Sequence, residues 1–134
     1  MRLAAQLKGG FYPAPPDAVA HAATFLRPPA CGRFSLLDPC AGEGAALHQL
    51  TETLDAPPDQ VFGIELDPQR ATRAQMLLPD SPILGPASAF GVACTRRIFT
   101  LAWVNSPFDD QMGGGDRAEL QFLRPVHDWL APGG

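Results

Sequence analysis

Phe34-Ser35-Leu36-Leu37-Asp38-Pro39-Cys40-Ala41-Gly42-Glu43-Gly44-Ala45-Ala46-Leu47 is an apolar run that stops at a carboxylate, turns through two glycines and enters a helical pattern. Such a run predicts a buried strand over 34–38, a tight loop, and a helix from about Gly44 to Leu54. Downstream, Val61 to Glu65 reads as a second strand, and Asp67 as the cap of a helix over Pro68 to Leu77. Ile83-Leu84 begins a weak third strand and Ile98 to Val104 a strong fourth. Asp116 and Glu119 form a capping-box pattern for a last helix to Leu130, with a kink expected at Pro125. Upstream, Lys8 to Pro13 reads as a loop, Pro15-Pro16 opens a helix to about Leu26, and Pro28-Pro29 stops it.

Strands alternating with helices predict an α/β, Rossmann-like fold with a mostly parallel sheet. Ligands of such sheets bind beyond the carboxyl ends of the strands. Asp38, Glu65 and Asn105 all fall at those ends, so the pattern expects them in one crevice.

With 134 residues the chain is read as a single domain, 1–134. Residues 1–30 supply an N-terminal aromatic loop and helix, and 34–134 the α/β core. Apolar residues make up 46% and charged residues 18%, ordinary values for a globular protein. The apolar stretches are strand-sized and the N-terminus lacks a leader-like run, which reads as a cytoplasmic chain without membrane contact. Cys31, Cys40 and Cys94 show no paired spacing, and His21, His48 and His127 share no metal-ligand spacing, so no metal is expected. Cys40 reads as a small residue under a bound ligand rather than a nucleophile. A net charge of −4 argues against a strongly basic nucleic-acid binder, without excluding an enzyme with a local basic surface. Arg96-Arg97, the only adjacent basic pair, reads as a solvated strand entry.

Gly42-Glu43-Gly44-Ala45-Ala46-Leu47 only partly matches the dinucleotide fingerprint, because Leu47 stands where a third glycine belongs. Glu43 would also put a negative charge where a pyrophosphate normally meets a helix N-terminus. A cofactor without phosphate suits this loop better than NAD. Glu65, about twenty residues on, is placed to accept hydrogen bonds from ribose hydroxyls.

Gly10-Phe11-Tyr12-Pro13, Asp38 to Gly44, Gly63-Ile64-Glu65-Leu66-Asp67-Pro68 and Asn105-Ser106-Pro107-Phe108, in that order, resemble class I S-adenosylmethionine-dependent methyltransferases. The likeness is narrower to the adenine-specific, amino-group type of DNA methyltransferase and spans nearly the whole chain. It implies S-adenosyl-L-methionine as cofactor, with Asp38, Ala41, Gly42, Gly44 and Glu65 around it. Lys8, Phe11 and Tyr12 match the aromatic loop that closes over the methionine end. Ser88 stands where the family commonly has an aspartate for the cofactor's adenine, and Phe90 is a candidate wall of that pocket.

The same resemblance gives the acceptor side to Asn105, Ser106, Pro107 and Phe108. A ring amine is a poor nucleophile because its lone pair is delocalised. Two acceptors for its hydrogens, the Asn105 side-chain oxygen and the Ser106 carbonyl, would orient that lone pair. Pro107 would stiffen the loop and Phe108 would stack on a base flipped out of a duplex. Ser106 departs from the family's usual proline. The implied partner is nucleic acid, DNA ahead of RNA. An RNA base or a protein glutamine amide is the alternative acceptor, and a non-catalytic remnant acting as an interaction module is a third reading.

Leu130-Ala131-Pro132-Gly133-Gly134 matches the turn that leads into a fifth strand in similar proteins. The expectation is therefore a truncated domain with C-terminal strands missing, weak cofactor binding and little activity alone. The 98–104 strand would then expose an edge for a partner or a missing segment to complete.

Overall fold

Leu36 and Leu37, adjacent in sequence, bury their side chains in two different cores, as the alternation of a strand requires. A computed structural model describes residues 11–30, 32–107 and 118–134. Its central strand β1 (Leu36–Asp38) is buried along its whole length. Strand β2 (Val61–Ile64) pairs with it in parallel, Leu36 opposite Val61 and Asp38 opposite Gly63. Strand β3 (Ile83–Leu84) lies outside β2, and β4 (Leu101–Ala102) flanks β1 on the other side. The order β3-β2-β1-β4, all parallel, is the α/β sheet that the sequence predicts.

Among the described residues four α-helices cover the two faces. Helices α1 (Pro16–Ala23) and α2 (Ala45–Thr53) bring Val19, Ala23, Leu47 and Leu50 against Leu36 and Val61. On the opposite face, Phe122, Val126 and Trp129 of α4 (Ala118–Trp129) meet Leu37 and Phe99. Phe62 joins them, its ring edge-on to Phe99 at 5.3 Å. Each fully buried leucine contributes about 1.5–3 kcal/mol of transfer free energy. Helix α3 (Pro68–Leu77) starts where expected: Asp67 Oδ1 accepts the N–H groups of Gln69 at 3.0 Å and Arg70 at 2.9 Å. Among the described residues no helix is long and apolar enough to cross a membrane.

Some boundaries differ from expectation. Helix α1 stops at Ala23, because the N–H groups of Thr24, Phe25 and Leu26 turn back three residues and Phe25 is left 72% exposed. Helix α4 continues across Pro125 to Trp129 without a break; Asp116 of the expected capping box lies outside the described residues. The 98–104 strand is the largest difference, since only Leu101–Ala102 pairs regularly with β1. Arg97, Ile98 and Phe99 instead donate to the carbonyls of Asp128 and Trp129 at 2.8–3.0 Å, and Ala131 N–H donates to the Phe99 carbonyl at 2.7 Å. Phe99 and Leu130 form a parallel bridge. The chain's own 128–131 segment thus covers the start of the edge expected to be open. Across β4, Ser35 and Thr100 clasp one another: each backbone N–H bonds the other's hydroxyl, at 2.9 and 3.2 Å, which fixes the β1–β4 register.

Gly44, the residue before α2, has φ +86°, and a Cβ there would sit 3.1 Å from Ala74 Cα on α3. Gly44→Ala is expected to destabilise the chain by at least about 1–2 kcal/mol, the left-handed backbone alone accounting for that much. Urea denaturation monitored by far-UV circular dichroism checks this, and a stability equal to wild type would show that the loop relaxes freely.

Candidate functional site

Three loops meet at the carboxyl ends of β1, β2 and β4. The glycine loop leaves β1 at Asp38 and is tied to its neighbour strand by Ala41 N–H donating to the Ile64 carbonyl at 2.9 Å. Gly42 N–H then donates to Glu65 Oε2 at 2.8 Å. Gly44 N–H closes the turn onto the Ala41 carbonyl at 2.8 Å. Gly42 has φ +57°, and a Cβ on it would collide with Cε2 of Phe11. The glycine is therefore needed both for its backbone and because an aromatic ring lies directly on it.

Glu65, 6% exposed, is the hub of the site. Besides Gly42, its carboxylate accepts from Asp67 N–H at 2.8 Å and from Arg70 Nε at 3.1 Å, both on Oε1. A carboxylate offers about four acceptor positions, so among the described residues one remains, on Oε2. The expected bare receptor for two hydroxyls is thus an acceptor already largely committed to the chain. The guanidinium of Arg70 also lies over the Phe11 ring, 4.9 Å from its centroid. Asp38, 2% exposed, accepts the Cys40 N–H at 2.9 Å. Burial pushes its carboxyl up to about 7; the Cys40 N–H opposes that shift and the Glu65 charge adds to it.

The third loop follows β4. Asn105 Nδ2 donates to the Tyr12 backbone carbonyl at 3.0 Å. A carbonyl can only accept, so the amide nitrogen must face Tyr12 and Oδ1 must face away. Ser106 is buried and Pro107 half-buried. Phe11, Tyr12, Asp38, Ala41, Gly42, Gly44, Glu65, Asn105 and Ser106 are therefore gathered in one region. Lys8 and Phe108 lie outside the described residues.

The remaining positions make contacts of their own. Ser88 Oγ accepts the Phe90 N–H at 3.3 Å, a local turn contact. Phe90 is 46% exposed and packs its ring against Phe122 of α4, centroids 4.6 Å apart. Glu43 does not stay at the start of α2; it pairs with Arg73 on α3. Burial, with Asp38 and Glu65 adding, pushes the Cys40 thiol up, away from thiolate chemistry. Among the described residues no three metal-ligating side chains gather. Arg70 was not singled out by sequence, although its position one turn into a capped helix that follows Glu65 is a usable signal.

Two buried carboxylates stand close together here, Glu65 paired with Arg70 and Asp38 bonded only to the Cys40 N–H among the described residues, an arrangement suited to a cation and poor for a phosphate. The sequence profile of a family described as "Uncharacterised methyltransferase family (DUF6094)" matches residues 1–134. No curated protein matches the chain. Among solved structures it is similar to an S-adenosylmethionine-dependent methyltransferase from Mesorhizobium loti, at 22% identity and TM-score 0.61, covering 90% of this chain and 51% of that one. It is similar to Streptomyces venezuelae DesVI at 22% identity and TM-score 0.66, covering 89% and 48%. The sugar N-methyltransferase KedS8 from Streptoalloteichus sp. ATCC 53650 matches at 26% identity and TM-score 0.62, covering 98% and 49%. The chain thus spans about half the length of these structures.

Proposed function

The chain belongs to the uncharacterised methyltransferase family DUF6094, and from that premise we propose that it transfers a methyl group from S-adenosyl-L-methionine to a planar exocyclic amino group, that of adenine in DNA. The observation that carries this reading is the bond from Asn105 Nδ2 to the Tyr12 carbonyl, which turns the amide oxygen outward as an acceptor beside Ser106.

The residues present fit the cofactor. Asp38 and Glu65 supply negative charge and hydroxyl acceptors, Gly42 leaves the loop without a side chain, and Phe11 covers it. When bound, the cofactor supplies an electrophilic methyl on a sulfonium cation. On the chain's side, Asn105 Oδ1 and the Ser106 carbonyl accept hydrogen bonds from the amine's two N–H groups and hold its lone pair in line, and the proton the methylated amine gives up passes to solvent. Pro107 limits the loop's freedom, and Phe108 is the proposed stacking face for the base. Rate enhancement then comes from positioning and fixed dipoles, with no covalent intermediate on the enzyme.

A second reading, transfer to the aliphatic amine of an amino sugar, draws support from the likeness to the sugar N-methyltransferase. An aliphatic amine has a localised lone pair and needs a proton acceptor more than two oriented carbonyl-type oxygens, so the Asn–Ser–Pro loop favours the planar nitrogen. Tritiated S-adenosylmethionine should be offered to DNA, RNA, protein and amino-sugar pools. Label recovered as the methylated adenine amine in DNA is expected. Label confined to another pool would move the acceptor, and label in none, with no thermal shift on cofactor addition, would overturn the reading.

A further inference from the structure

Arg70 is the one charged side chain, among the described residues, that touches both the carboxylate hub and the aromatic cover. Its Nε donates to Glu65 Oε1 at 3.1 Å while its guanidinium carbon sits over the Phe11 ring, 4.9 Å from the centroid, and Phe11 lies on Gly42. We propose that Arg70 is a positioning residue for the methyl-donor site. It fixes which Glu65 oxygen is open to a ligand hydroxyl and holds Phe11 on the glycine loop. This rests on the reading that the donor binds here.

The argument is one of charge and of acceptor geometry. Glu65 and Asp38 are both buried, at 6% and 2% exposure, and Arg70 is the guanidinium at hydrogen-bond distance from Glu65. A buried carboxylate that loses its partner is left with an uncompensated charge, a change far larger than loss of a surface pair. Arg70 and the Asp67 N–H together fill Oε1, so the open position is on Oε2, the oxygen bonded to Gly42 N–H. Without Arg70 the carboxylate is free to turn, and the open position no longer has a fixed direction. The cation–π contact adds a second effect, because a partly desolvated guanidinium over the ring helps to hold it in place. Asp67 anchors the arrangement from below, since its Oδ1 caps the turn on which Arg70 rides.

Residues that act through one another give non-additive losses, which distinguishes this role from a general structural one. Isothermal titration with S-adenosylhomocysteine should be run on wild type, Arg70→Met, Phe11→Leu and the double variant, with steady-state transfer kinetics beside it. Arg70→Met is expected to raise Kd and the cofactor KM about tenfold or more, with kcat at saturation within about threefold. Arg70→Lys keeps charge but not the planar face and should recover part of the loss. The double variant should bind little worse than the weaker single. An unchanged Kd for Arg70→Met, or strictly additive losses with Phe11→Leu, overturns the proposal. Should Arg70→Met fail to fold, Arg70→Gln, which keeps a donor toward Oε1 but neither the charge nor the guanidinium over Phe11, should still raise Kd, by a smaller factor, and an unchanged Kd there overturns the proposal. Failure of the wild type itself to bind S-adenosylhomocysteine would instead sink the functional reading.

Discussion

Asn105→Ala is expected to reduce methyl transfer by about two to three orders of magnitude, the usual effect of deleting one preorganised polar group at a reacting centre. Folding should persist. Asn105 is only half-buried, and its bond to the Tyr12 carbonyl is worth about 1 kcal/mol as a single neutral hydrogen bond. Cofactor affinity should change by no more than that one bond to the aromatic loop contributes, because the Glu65 carboxylate is held by Gly42, Asp67 and Arg70 while Asn105 bonds the Tyr12 carbonyl. The loss should therefore fall on kcat, with the cofactor KM nearly unchanged. Asn105→Asp separates the two duties of the amide. It keeps an acceptor oxygen but sets a carboxylate oxygen against the Tyr12 carbonyl, so the loop should lose its anchor and transfer should fall about tenfold or more. Single-turnover transfer to adenine-containing DNA measures both variants. Wild-type rates in Asn105→Ala would remove the amide from the chemistry and favour an acceptor that needs no such oxygen.

What the sequence revealed of this site follows from where each residue stands on a strand. Asp38 ends β1, Glu65 follows β2 and Asn105 lies three residues past β4, and in a parallel sheet that alone brings them together. Asp67 was legible for a similar reason, because a cap is a local device with a local signature. Arg70 was not, since its meaning depends on Glu65 and Phe11 at once, and no periodicity encodes a contact between residues 11 and 70. The 98–104 run was misjudged for a related reason. Its apolar, strand-forming residues satisfy the pattern on either side of the chain, and its first residues pair with the Asp128 and Trp129 carbonyls at the end of α4. Phe90 is not decided by its sequence position, because a phenylalanine there can pack on the Phe122 ring as readily as face a pocket. Glu43 was assigned by its place before a helix, where Arg73, one helix away, offered a closer counter-charge.

Asp38→Asn is expected to stabilise the empty chain above neutral pH and to weaken donor binding, two effects of opposite kind from one atom. The Asp38 carboxyl is raised from 3.8 to about 7, chiefly by burial, with the Glu65 charge adding and the Cys40 N–H opposing. Arg70 reaches it only through Glu65. A raised carboxyl means that between those values the folded chain holds a proton that the unfolded chain has lost. The stability this group contributes is therefore full below about pH 4 and is lost as pH rises to about 7, at up to about 1.4 kcal/mol per unit. Above that the dependence flattens, and the folded chain carries a buried carboxylate. Asparagine keeps an oxygen for the Cys40 N–H without the charge. Urea titrations of both proteins at pH 5, 6, 7 and 8 should show wild type losing stability relative to Asp38→Asn across that range. A difference that stays flat or rises would refute the burial account. On the proposed reading the same carboxylate meets the donor's cationic end, so Asp38→Asn should raise the Kd for S-adenosylmethionine about tenfold, as expected for loss of a charge-assisted contact. Near pH 6.5, wild-type binding should release a proton as Asp38 ionises, measurable as a dependence of titration heat on the buffer's ionisation enthalpy. In Asp38→Asn that dependence should vanish, and its persistence would assign the proton to another group.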